Sequence, residues 1–464
     1  MKAFSNSLTA RTAALVVSEH VLIVLSVLLA IVVRLSVSGL FDLMAQGVLG
    51  RASLIAVVLQ VCLHFCDLYD FRTLSDRRTT AIALLRALGA ASLILALLYY
   101  WVPSLVIGRG VFAISSAICV VVITGWRIAF TWMSTRLKPT ERLLIVGTNE
   151  AAVDLARELF ERRQELGVQL MGFVDADPSR VGTPLLNPGI IGTVSDIPSI
   201  VQRLSIDRVV VSLADARGKL SMDELLRMKL NDGVRFDHLA SVYEEYTGKI
   251  AVENLRPSWL VFSQGFRRQA GVEFLKRLFD VVGAAAGLVV ASPVMVLVAA
   301  AIKLTEGGPI LYAQVRVGKD GRLFTLYKFR SMRPDAETET GPIWSTAGDP
   351  RVTRLGRFLR RTRLDELPQL WNVLRGDMSI VGPRPERPEF VEDLTRRIPY
   401  YRQRHAVRPG LTGWAQVRHT YAASVEDSLQ KLQYDLFYIK HLSLAFDVFI
   451  VLETIKTVLV RSGS

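Results

Sequence analysis

Two adjacent carboxylates follow an unusually basic stretch of the chain. Asp365 and Glu366 are flanked by leucines, and Pro368 comes shortly after them. Neighbouring residues of a helix point about 100° apart, so the two carboxylates are expected to do different work. One could attack phosphorus as a covalent nucleophile while the other holds a divalent cation such as Mg²⁺. An isolated Asp-Glu pair is an ordinary surface feature, so its significance depends on the sequence around it.

The basic stretch holds six arginines and no acidic residue between positions 351 and 363. Arginine's planar guanidinium suits phosphate oxygens, so these residues could face lipid headgroups or a nucleotide diphosphate. A solvated basic face is the alternative. Arg361 or Arg363 would also keep the two carboxylates ionised. Five of the arginines recur at every third position, which predicts a slowly turning stripe on a helix: Arg351, Arg354, Arg357, Arg360 and Arg363.

An uncharged segment of 22 residues, Val281–Ile302, precedes this chemistry. Its length alone predicts a transmembrane helix. Ser292 and Pro293 lie at its midpoint, and proline removes one helical hydrogen bond, so the helix should bend there. A bent helix can enter and leave the same face of a membrane, whereas a kinked helix can still span it. The residues alone leave both interpretations open.

The first 135 residues are dominated by four apolar segments, and composition agrees with a membrane protein. Half of the 464 residues are hydrophobic and mean hydropathy is +0.31. The charged side chains of Arg86 and Arg127 are expected to snorkel into the membrane interface. Lys and Arg in the loops place both ends of the bundle in the cytoplasm. The predicted spans are Thr12–Val33, Ala52–Phe65, Ala81–Val102 and Val111–Met133.

Residues 141 to 245 have the alternation of a parallel sheet with helices on both faces. The first unit reads as a strand, a tight turn and an amphipathic helix. A dinucleotide fingerprint needs three glycines, and Gly147 is the one present, because Asn149 and Ala152 occupy the other places. Asp175 ends the second predicted strand and could still hold a ribose. We therefore favour a structural or regulatory module over cofactor binding.

From about Phe274 to its end, the chain closely resembles the bacterial sugar transferase family, the monotopic polyprenyl-phosphate hexose-1-phosphate transferases. The matching strings are LKRLFD at 275–280, YKFRSM at 327–332, DPRVTRLGRFLRRTRLDELPQLWNVL at 349–374, GDMSIVGPRPE at 376–386 and RPGLTGWAQV at 408–417. The N-terminal part is similar to the long form of the family. LLYYWVPSLVIGRGVF and YTGKIAVENLRPSWLVF resemble exopolysaccharide sugar transferases found beside exosortase-type systems.

The resemblance implies a role for each matching residue. Asp365 would form a phosphosugar-aspartyl intermediate and expel UMP, and Glu366 would help bind Mg²⁺. The Val281–Ile302 segment would be a re-entrant hairpin bent at Ser292 and Pro293, which keeps the catalytic domain cytosolic. The predicted contacts to the donor or carrier are Lys328, Arg330, Arg354, Arg361, Arg363, Arg384 and Gln416.

The complete prediction is a membrane protein of mixed fold class. It comprises a four-helix transmembrane bundle (1–138), a Rossmann-like α/β module (141–265) and a mostly α monotopic catalytic domain (270–464) with a re-entrant helix hairpin (281–302). The enzyme would sit in the bacterial inner membrane and move hexose 1-phosphate, from UDP-glucose or UDP-galactose, to undecaprenyl phosphate. This transfer would begin exopolysaccharide biosynthesis. Membrane lipids are expected partners, nucleic acid is not, and a homodimer is compatible with the sequence.

A membrane-anchored, NAD-dependent nucleotide-sugar dehydratase or epimerase is the alternative function. Such enzymes commonly pair a tyrosine with a lysine four residues later. None of the twelve tyrosines has a lysine at that offset. The net charge of +13 also suits a nucleic-acid-binding or scaffold protein, but that interpretation gives the Asp365-Glu366 sequence no purpose.

Overall fold

The computed structural model divides into two compact units, Met1–Tyr246 and Thr247–Ser464. It describes residues 10–66, 68–69, 77–137, 141–161, 167–212, 222–231, 233–252, 265–266, 270–334, 336, 349–419 and 424–461. Two features of the sequence analysis therefore lie outside the described residues. These are residues 70–76 of the loop between the second and third apolar segments, and residues 253–264 and 267–269 on either side of the boundary predicted near residue 265.

Four long helices occupy the first part of the first unit, at the positions of the four predicted spans. Their bounds are α1 Ala10–Ala45, α2 Val48–Phe65, α3 Arg77–Trp101 and α4 Arg109–Leu137. The backbone of α1 is interrupted at Ser36, where φ is 74°. Buried apolar residues such as Ile23, Leu63 and Ile123 pack the helices together.

Arg127 departs from the sequence prediction. Its side chain is 3% exposed and pairs with Glu19, which is fully buried, over 2.6 Å between Nε and Oε1. The guanidinium also donates to the carbonyl oxygen of Leu68, and the Tyr69 hydroxyl donates to Glu19 Oε2 over 2.7 Å. The predicted snorkelling of Arg127 is therefore wrong, because a buried carboxylate and a carbonyl satisfy the guanidinium inside the helix bundle.

The second part of the first unit is a five-stranded parallel sheet in the order β3-β2-β1-β4-β5. The strands are β1 Glu141–Val146, β2 Val168–Asp175, β3 Ile190–Thr193, β4 Arg208–Val211 and β5 Arg235–His238. The helices are α5 Glu150–Glu161, α6 Ile197–Leu204, α7 Met222–Asn231 and α8 Leu239–Thr247. The predicted parallel sheet is confirmed. The sequence analysis did not foresee β3 and α6, which are four and eight residues long.

The second unit opens on a 37-residue helix, α9 Ala270–Glu306, which is longer than the predicted segment and contains Pro293. Ser292 Oγ donates to the carbonyl oxygen of Val289 over 2.8 Å, one turn back along the helix. With α1 to α4, α9 makes five helices in the described chain that are long and apolar enough to cross a membrane. The re-entrant path remains a prediction.

The rest of the second unit positions the candidate site. An antiparallel hairpin comprises β6 and β7, and a short parallel pair comprises β8 and β9. The strands are β6 Leu311–Val317, β7 Leu323–Phe329, β8 Ser379–Val381 and β9 Gly410–Thr412. The helices are α10 Arg354–Arg361, α11 Gln369–Arg375, α12 Pro388–Arg397, α13 Trp414–Arg418, α14 Val425–Lys440 and α15 Leu444–Arg461.

Asp447 changes the interpretation of the last helix. The apolar segment Leu442–Val460, with Asp447, Glu453 and Lys456, is typical of an amphipathic helix lying on a membrane surface. Asp447 is instead fully buried, and its Oδ2 pairs with Lys276 Nζ over 2.6 Å. The Tyr438 hydroxyl donates to Oδ1 over 2.8 Å. This charge of α15 therefore links α15 to Lys276, near the start of α9, within the second unit.

Candidate active site

A cavity of about 600 Å³ lies in the second unit and contains both adjacent carboxylates. Its lining comes from the β6–β7 hairpin, the end of α10, the segment after β8, and helices α12, α13 and α14. Residues far apart in sequence thus meet around one space large enough for a small-molecule ligand.

The carboxylates lie on a single 3₁₀ turn, Leu364–Glu366. Arg363 precedes it in a left-handed conformation, with φ of 57°, so the chain changes direction between α10 and this turn. Leu364 and Leu367 pack against the core cluster that contains Val298 and Ile302 of α9. These leucines anchor the turn in the core, and Asp365 and Glu366 are only 6% and 9% exposed.

Glu366 is held by two arginines. Arg384 Nη2 lies 2.9 Å from its Oε1, and Arg363 Nη1 lies 3.4 Å from its Oε2. Burial by itself would raise the pKa of Glu366, but the charges of Arg384, Arg363 and Lys328 outweigh that effect and lower the pKa to about 2. Glu366 is therefore a permanently charged, fixed carboxylate.

The pKa of Asp365 is shifted in the opposite direction from that of Glu366. Burial, aided by the negative charge of Glu366, raises its pKa above the usual value, although Lys328, Arg360 and Arg384 limit the rise. Arg363 acts on Glu366, and Arg361 is exposed and lies outside the cavity lining. Arg363 therefore helps to keep Glu366 ionised, whereas the pKa of Asp365 is raised rather than lowered.

Lys328 is the cation of the cavity that is best suited to bind a phosphate group. It lies on β7 opposite Tyr312 of β6, and both line the cavity. Burial, reinforced by the positive charges of Arg384 and Arg316, lowers its pKa to about 8. The nearby carboxylates of Glu366 and Asp365 do not offset this lowering, and a bound phosphate would add negative charge that stabilises the cation.

Arg316 lines the same cavity and was missed by the sequence analysis. Its Nη1 donates to the carbonyl oxygen of Pro385 over 3.0 Å, next to Arg384. On β6 the polar residues that line the cavity, Tyr312, Gln314 and Arg316, occupy alternate positions, which is the period of a strand face. This alternation of polar residues was the sequence signal that could have identified Arg316.

The structure brings most, but not all, of the predicted phosphate ligands together. Arg330, Arg363, Arg384 and Gln416 line the cavity, whereas Arg354 and Arg361 are exposed and do not. Two further arginines of the stripe also line the cavity, Arg351 and Arg360. A stripe at every third residue drifts around a helix, so one short helix cannot aim all its members into one cavity.

Arg330 and Gln416 both carry polar atoms that are ready for a ligand. Arg330 pairs with Glu306 over 3.3 Å through Nη2. Within the described residues, its buried Nε and Nη1 atoms have no hydrogen-bond partner, and neither does the buried Oε1 of Gln416. Buried polar groups are normally satisfied, so these atoms point to a ligand with both acceptor and donor groups.

Comparisons with known proteins agree with this site. A family model described as bacterial sugar transferase matches residues 271–461, and one described as CoA-binding domain matches residues 64–236. The chain is 34% identical over 328 residues to the UDP-glucose:undecaprenyl-phosphate glucose-1-phosphate transferase of Escherichia coli strain K12, covering 68% of this chain and 67% of that protein. This chain belongs to the bacterial sugar transferase family.

Two further relatives differ in how much of each chain the similarity covers. Identity is 44% over 228 residues to a UDP-N-acetylgalactosamine-undecaprenyl-phosphate N-acetylgalactosaminephosphotransferase of Aeromonas hydrophila, covering 49% of this chain and 53% of that protein. It is 41% over 195 residues to the exopolysaccharide production protein PSS of Rhizobium leguminosarum bv. phaseoli, covering 40% of this chain and 96% of that one. The transferase thus spans about half the length of the Aeromonas relative.

The two adjacent carboxylates Asp365 and Glu366, called the dyad below, are of the ligand type that suits Mg²⁺. Mg²⁺ in phosphate-handling sites is commonly held by one or two carboxylates, with waters and substrate phosphates completing the shell. In the described chain no group of three or more acidic, histidine or cysteine side chains is arranged for a metal. Glu366, whose carboxylate is fixed and charged, would hold the ion together with substrate oxygens. A bound ion would neutralise phosphate charge.

The α/β module of this transferase does not fit a dinucleotide as it stands. Asn149 Nδ2 donates to Ser212 Oγ over 2.7 Å, which joins the carboxyl ends of β1 and β4. The Asp175 carboxylate accepts from Thr148 over 2.5 Å and from Arg180 over 2.9 Å. Dinucleotides bind at such a strand crevice, which the hydrogen bond between Asn149 and Ser212 crosses here. The NAD-dependent alternative gains no support from this geometry.

Proposed function

We propose that this transferase moves a hexose 1-phosphate from a UDP-sugar to undecaprenyl phosphate and releases UMP. The main support for this proposal is the difference in environment between Glu366 and Asp365. Glu366 is fixed and charged by Arg384 and Arg363, whereas the neighbouring Asp365 accepts no hydrogen bond from another described side chain and has a raised pKa. A fixed carboxylate suits cation binding, and an unrestrained one suits attack on phosphorus.

The proposed chemistry has two displacements. In the first, an Asp365 carboxylate oxygen forms a bond to the sugar-bearing phosphorus while the bond from that phosphorus to the bridging oxygen breaks. UMP leaves with that oxygen and its electron pair. In the second, a phosphate oxygen of undecaprenyl phosphate attacks the same phosphorus, and the bond to Asp365 breaks. The carboxylate is restored and the product is an undecaprenyl diphosphate sugar.

Cations around the dyad make the first displacement electrostatically feasible. A carboxylate approaching a diphosphate is repelled unless positive charge offsets the anionic oxygens. Lys328, Arg360 and Arg384 lie close enough to Asp365 to influence its pKa, and all three line the cavity. They would orient the diphosphate and stabilise the charge that accumulates on the leaving UMP.

We further propose that α9 is a re-entrant hairpin in the cytoplasmic face of the bacterial inner membrane. Ala284, before Pro293, packs in the core with Leu326 of β7. Ile302, after Pro293, packs in the core with Phe329 of the same strand. Attachment of both arms to one small hairpin supports a bend near Ser292 and Pro293. The catalytic unit would then stay on the cytosolic side, where UDP-sugars are made.

The relatives' names guide the choice of donor. They include transferases for glucose and for N-acetylgalactosamine, and one exopolysaccharide production protein. We propose glucose as the first donor to test, with galactose next, in the first step of exopolysaccharide biosynthesis. UMP release from UDP-glucose, UDP-galactose and UDP-N-acetylgalactosamine would be measured with the full chain in nanodiscs containing undecaprenyl phosphate.

The expected result is UMP release that requires the lipid acceptor for multiple turnovers. NADH fluorescence measured in parallel should stay unchanged when NAD is added. The proposal is wrong if none of the UDP-sugars yields UMP, or if product formation depends on NAD.

A further inference from the structure

A second polar cluster lies in the same cavity, on different elements from the carboxylate dyad. His419 follows α13, and Asp427 and Lys431 are one turn apart on α14. The Asp427 carboxylate contacts His419 Nε2 through one oxygen and Lys431 Nζ through the other. Asp427 is 3% exposed, whereas His419 and Lys431 are 22% and 26% exposed and line the cavity. The carboxylate therefore lies behind the two residues and orients them.

The cluster is held by the core beneath it. Trp414, at the start of α13, is 1% exposed, and its indole Nε1 donates to the carbonyl oxygen of Gly248 over 3.0 Å. Ser424 caps α14 by accepting a hydrogen bond from the backbone N–H of Asp427 over 3.1 Å. Asp427 is thus fixed by its own helix terminus, and His419 is fixed by α13 and Asp427. Such preorganisation is what a selective binding site needs.

The polar atoms at this end of the cavity suit hydroxyl groups. With Nε2 directed at a carboxylate, the remaining imidazole nitrogen, Nδ1, can accept from a hydroxyl when the ring is neutral and donate when it is charged. Gln416, also on α13, has a buried Oε1 without a hydrogen-bond partner in the described chain. A hydroxyl group can serve as donor or acceptor, so it satisfies either atom.

The cavity lining offers contacts for each part of a UDP-hexose. The cations around the dyad suit the diphosphate. Apolar side chains, among them Pro309, Leu311 and Met332, are interspersed with the polar residues of β6 and of the segment after β7. Uracil has two apolar faces that these side chains can contact, whereas a hexose with its several hydroxyls needs hydrogen-bonding partners. Gln416, Ser428 and the His419 cluster supply them.

We propose that His419, oriented by Asp427 and Lys431, binds the hydroxyl groups of the donor's hexosyl ring and, with Gln416, determines which hexose is accepted. This inference rests on the proposed function and adds a specificity site to it. Asp427 is a positioning residue in this arrangement, because His419 stands between it and the cavity.

Direct binding separates this inference from the transfer reaction. The dissociation constants of UDP-glucose, UDP-galactose, UDP-N-acetylgalactosamine and UMP would be measured by calorimetry on the full chain in nanodiscs. His419→Ala should weaken binding of the preferred UDP-hexose about tenfold, the effect of losing one or two hydrogen bonds, and leave UMP binding within about twofold. His419→Asn keeps a polar group near Nδ1 and should recover part of the loss. His441→Ala, outside the cavity lining, is the matched control and should leave both constants unchanged.

Three results would overturn the inference. Equal weakening of UDP-hexose and UMP by His419→Ala would place the cluster at the uridine or at a purely structural position. Unchanged binding of both ligands would show that the cluster does not bind the donor. An unaltered ranking of the three UDP-hexoses in His419→Ala and Gln416→Ala would exclude a role in selection. If binding behaves as proposed but wild-type protein releases no UMP, the transfer function fails and the binding site stands.

Discussion

Arg384 Nη2 lies 2.9 Å from Glu366 Oε1, and this ion pair separates the roles of two adjacent carboxylates. Removing the guanidinium would release Glu366 and take positive charge from the diphosphate site. We expect Arg384→Ala to lower kcat/KM for UMP release about 100-fold or more, the scale seen when a preorganised charge stabiliser is lost. Arg354→Ala is the matched control, because Arg354 is exposed and outside the cavity lining, and its kcat/KM should stay within about twofold. Equal losses in the two variants would contradict the assigned geometry.

Lys328 should give the reaction an alkaline limit. Its pKa is lowered to about 8 by burial and by the neighbouring charges of Arg384 and Arg316, so the cation is lost as pH rises through about 8. A pH–rate profile should therefore show kcat/KM falling above that pH. Lys328→Arg keeps its charge at higher pH and should move the fall upward, even if its maximum rate is lower. An alkaline limb that stays in place in Lys328→Arg would rule out this residue as its origin.

Asp365 should set the acidic limit of the same profile. Attack requires the ionised carboxylate, and burial raises the pKa of Asp365. The acid limb should consequently lie at a higher pH than for an ordinary aspartate, with activity lost as pH falls through it. Glu366, with a pKa of about 2, stays ionised throughout this range and should not contribute.

The buried Glu19–Arg127 pair should stabilise the N-terminal helices. Glu19→Gln leaves a buried guanidinium without its carboxylate, a change that costs about 3 kcal/mol in comparable sites. Thermal unfolding of the full chain in detergent should show a clearly lower midpoint for this variant. The double variant Glu19→Leu with Arg127→Met removes both charges and should recover much of the loss. Double-variant protein as unstable as Glu19→Gln would show that the pair is not the source of stability.

The side of the membrane occupied by the catalytic unit can be read by thiol labelling. Asp154→Cys on α5 and Arg322→Cys in the β6–β7 turn replace exposed residues of the two units. Cys62, Cys66 and Cys119 would first be replaced by serine. If α9 is re-entrant, an impermeant reagent should label neither new cysteine in intact cells and both after permeabilisation. Labelling of Arg322→Cys alone from outside would mean that α9 spans the membrane.

Local patterns predicted the elements on which the site is built. The strand, turn and amphipathic helix beginning at Glu141 appear as β1 and α5, and the parallel sheet follows from the alternation after them. Asp365 and Glu366 were identified because their neighbours in sequence are informative, and the cavity contains both. These successes depend on short-range patterning, which one sequence displays directly.

Long-range partnerships could not be predicted in this way. Glu19 and Arg127 are 108 positions apart, so nothing local indicated that Arg127 would be buried. The rotation of α10 about its axis decides which arginines reach the cavity, and that rotation is set by the packing of Leu355 and Leu359 against α9. His419 and Asp427 meet because α13 and α14 are packed together, and each residue looks ordinary in its own segment.

The most direct test of the central claim is covalent labelling at Asp365. Full-length protein would be incubated with a UDP-sugar radiolabelled in the sugar, without undecaprenyl phosphate, and the protein-bound label would be challenged with hydroxylamine, which cleaves acyl phosphates. Glu366→Gln, which retains Asp365 but loses the fixed charge, should label slowly and respond to Mg²⁺ concentration. We expect hydroxylamine-labile label on wild type and none on Asp365→Asn at any Mg²⁺ concentration. Label that persists on Asp365→Asn, or turnover by that variant, would contradict it and favour direct attack by the lipid phosphate.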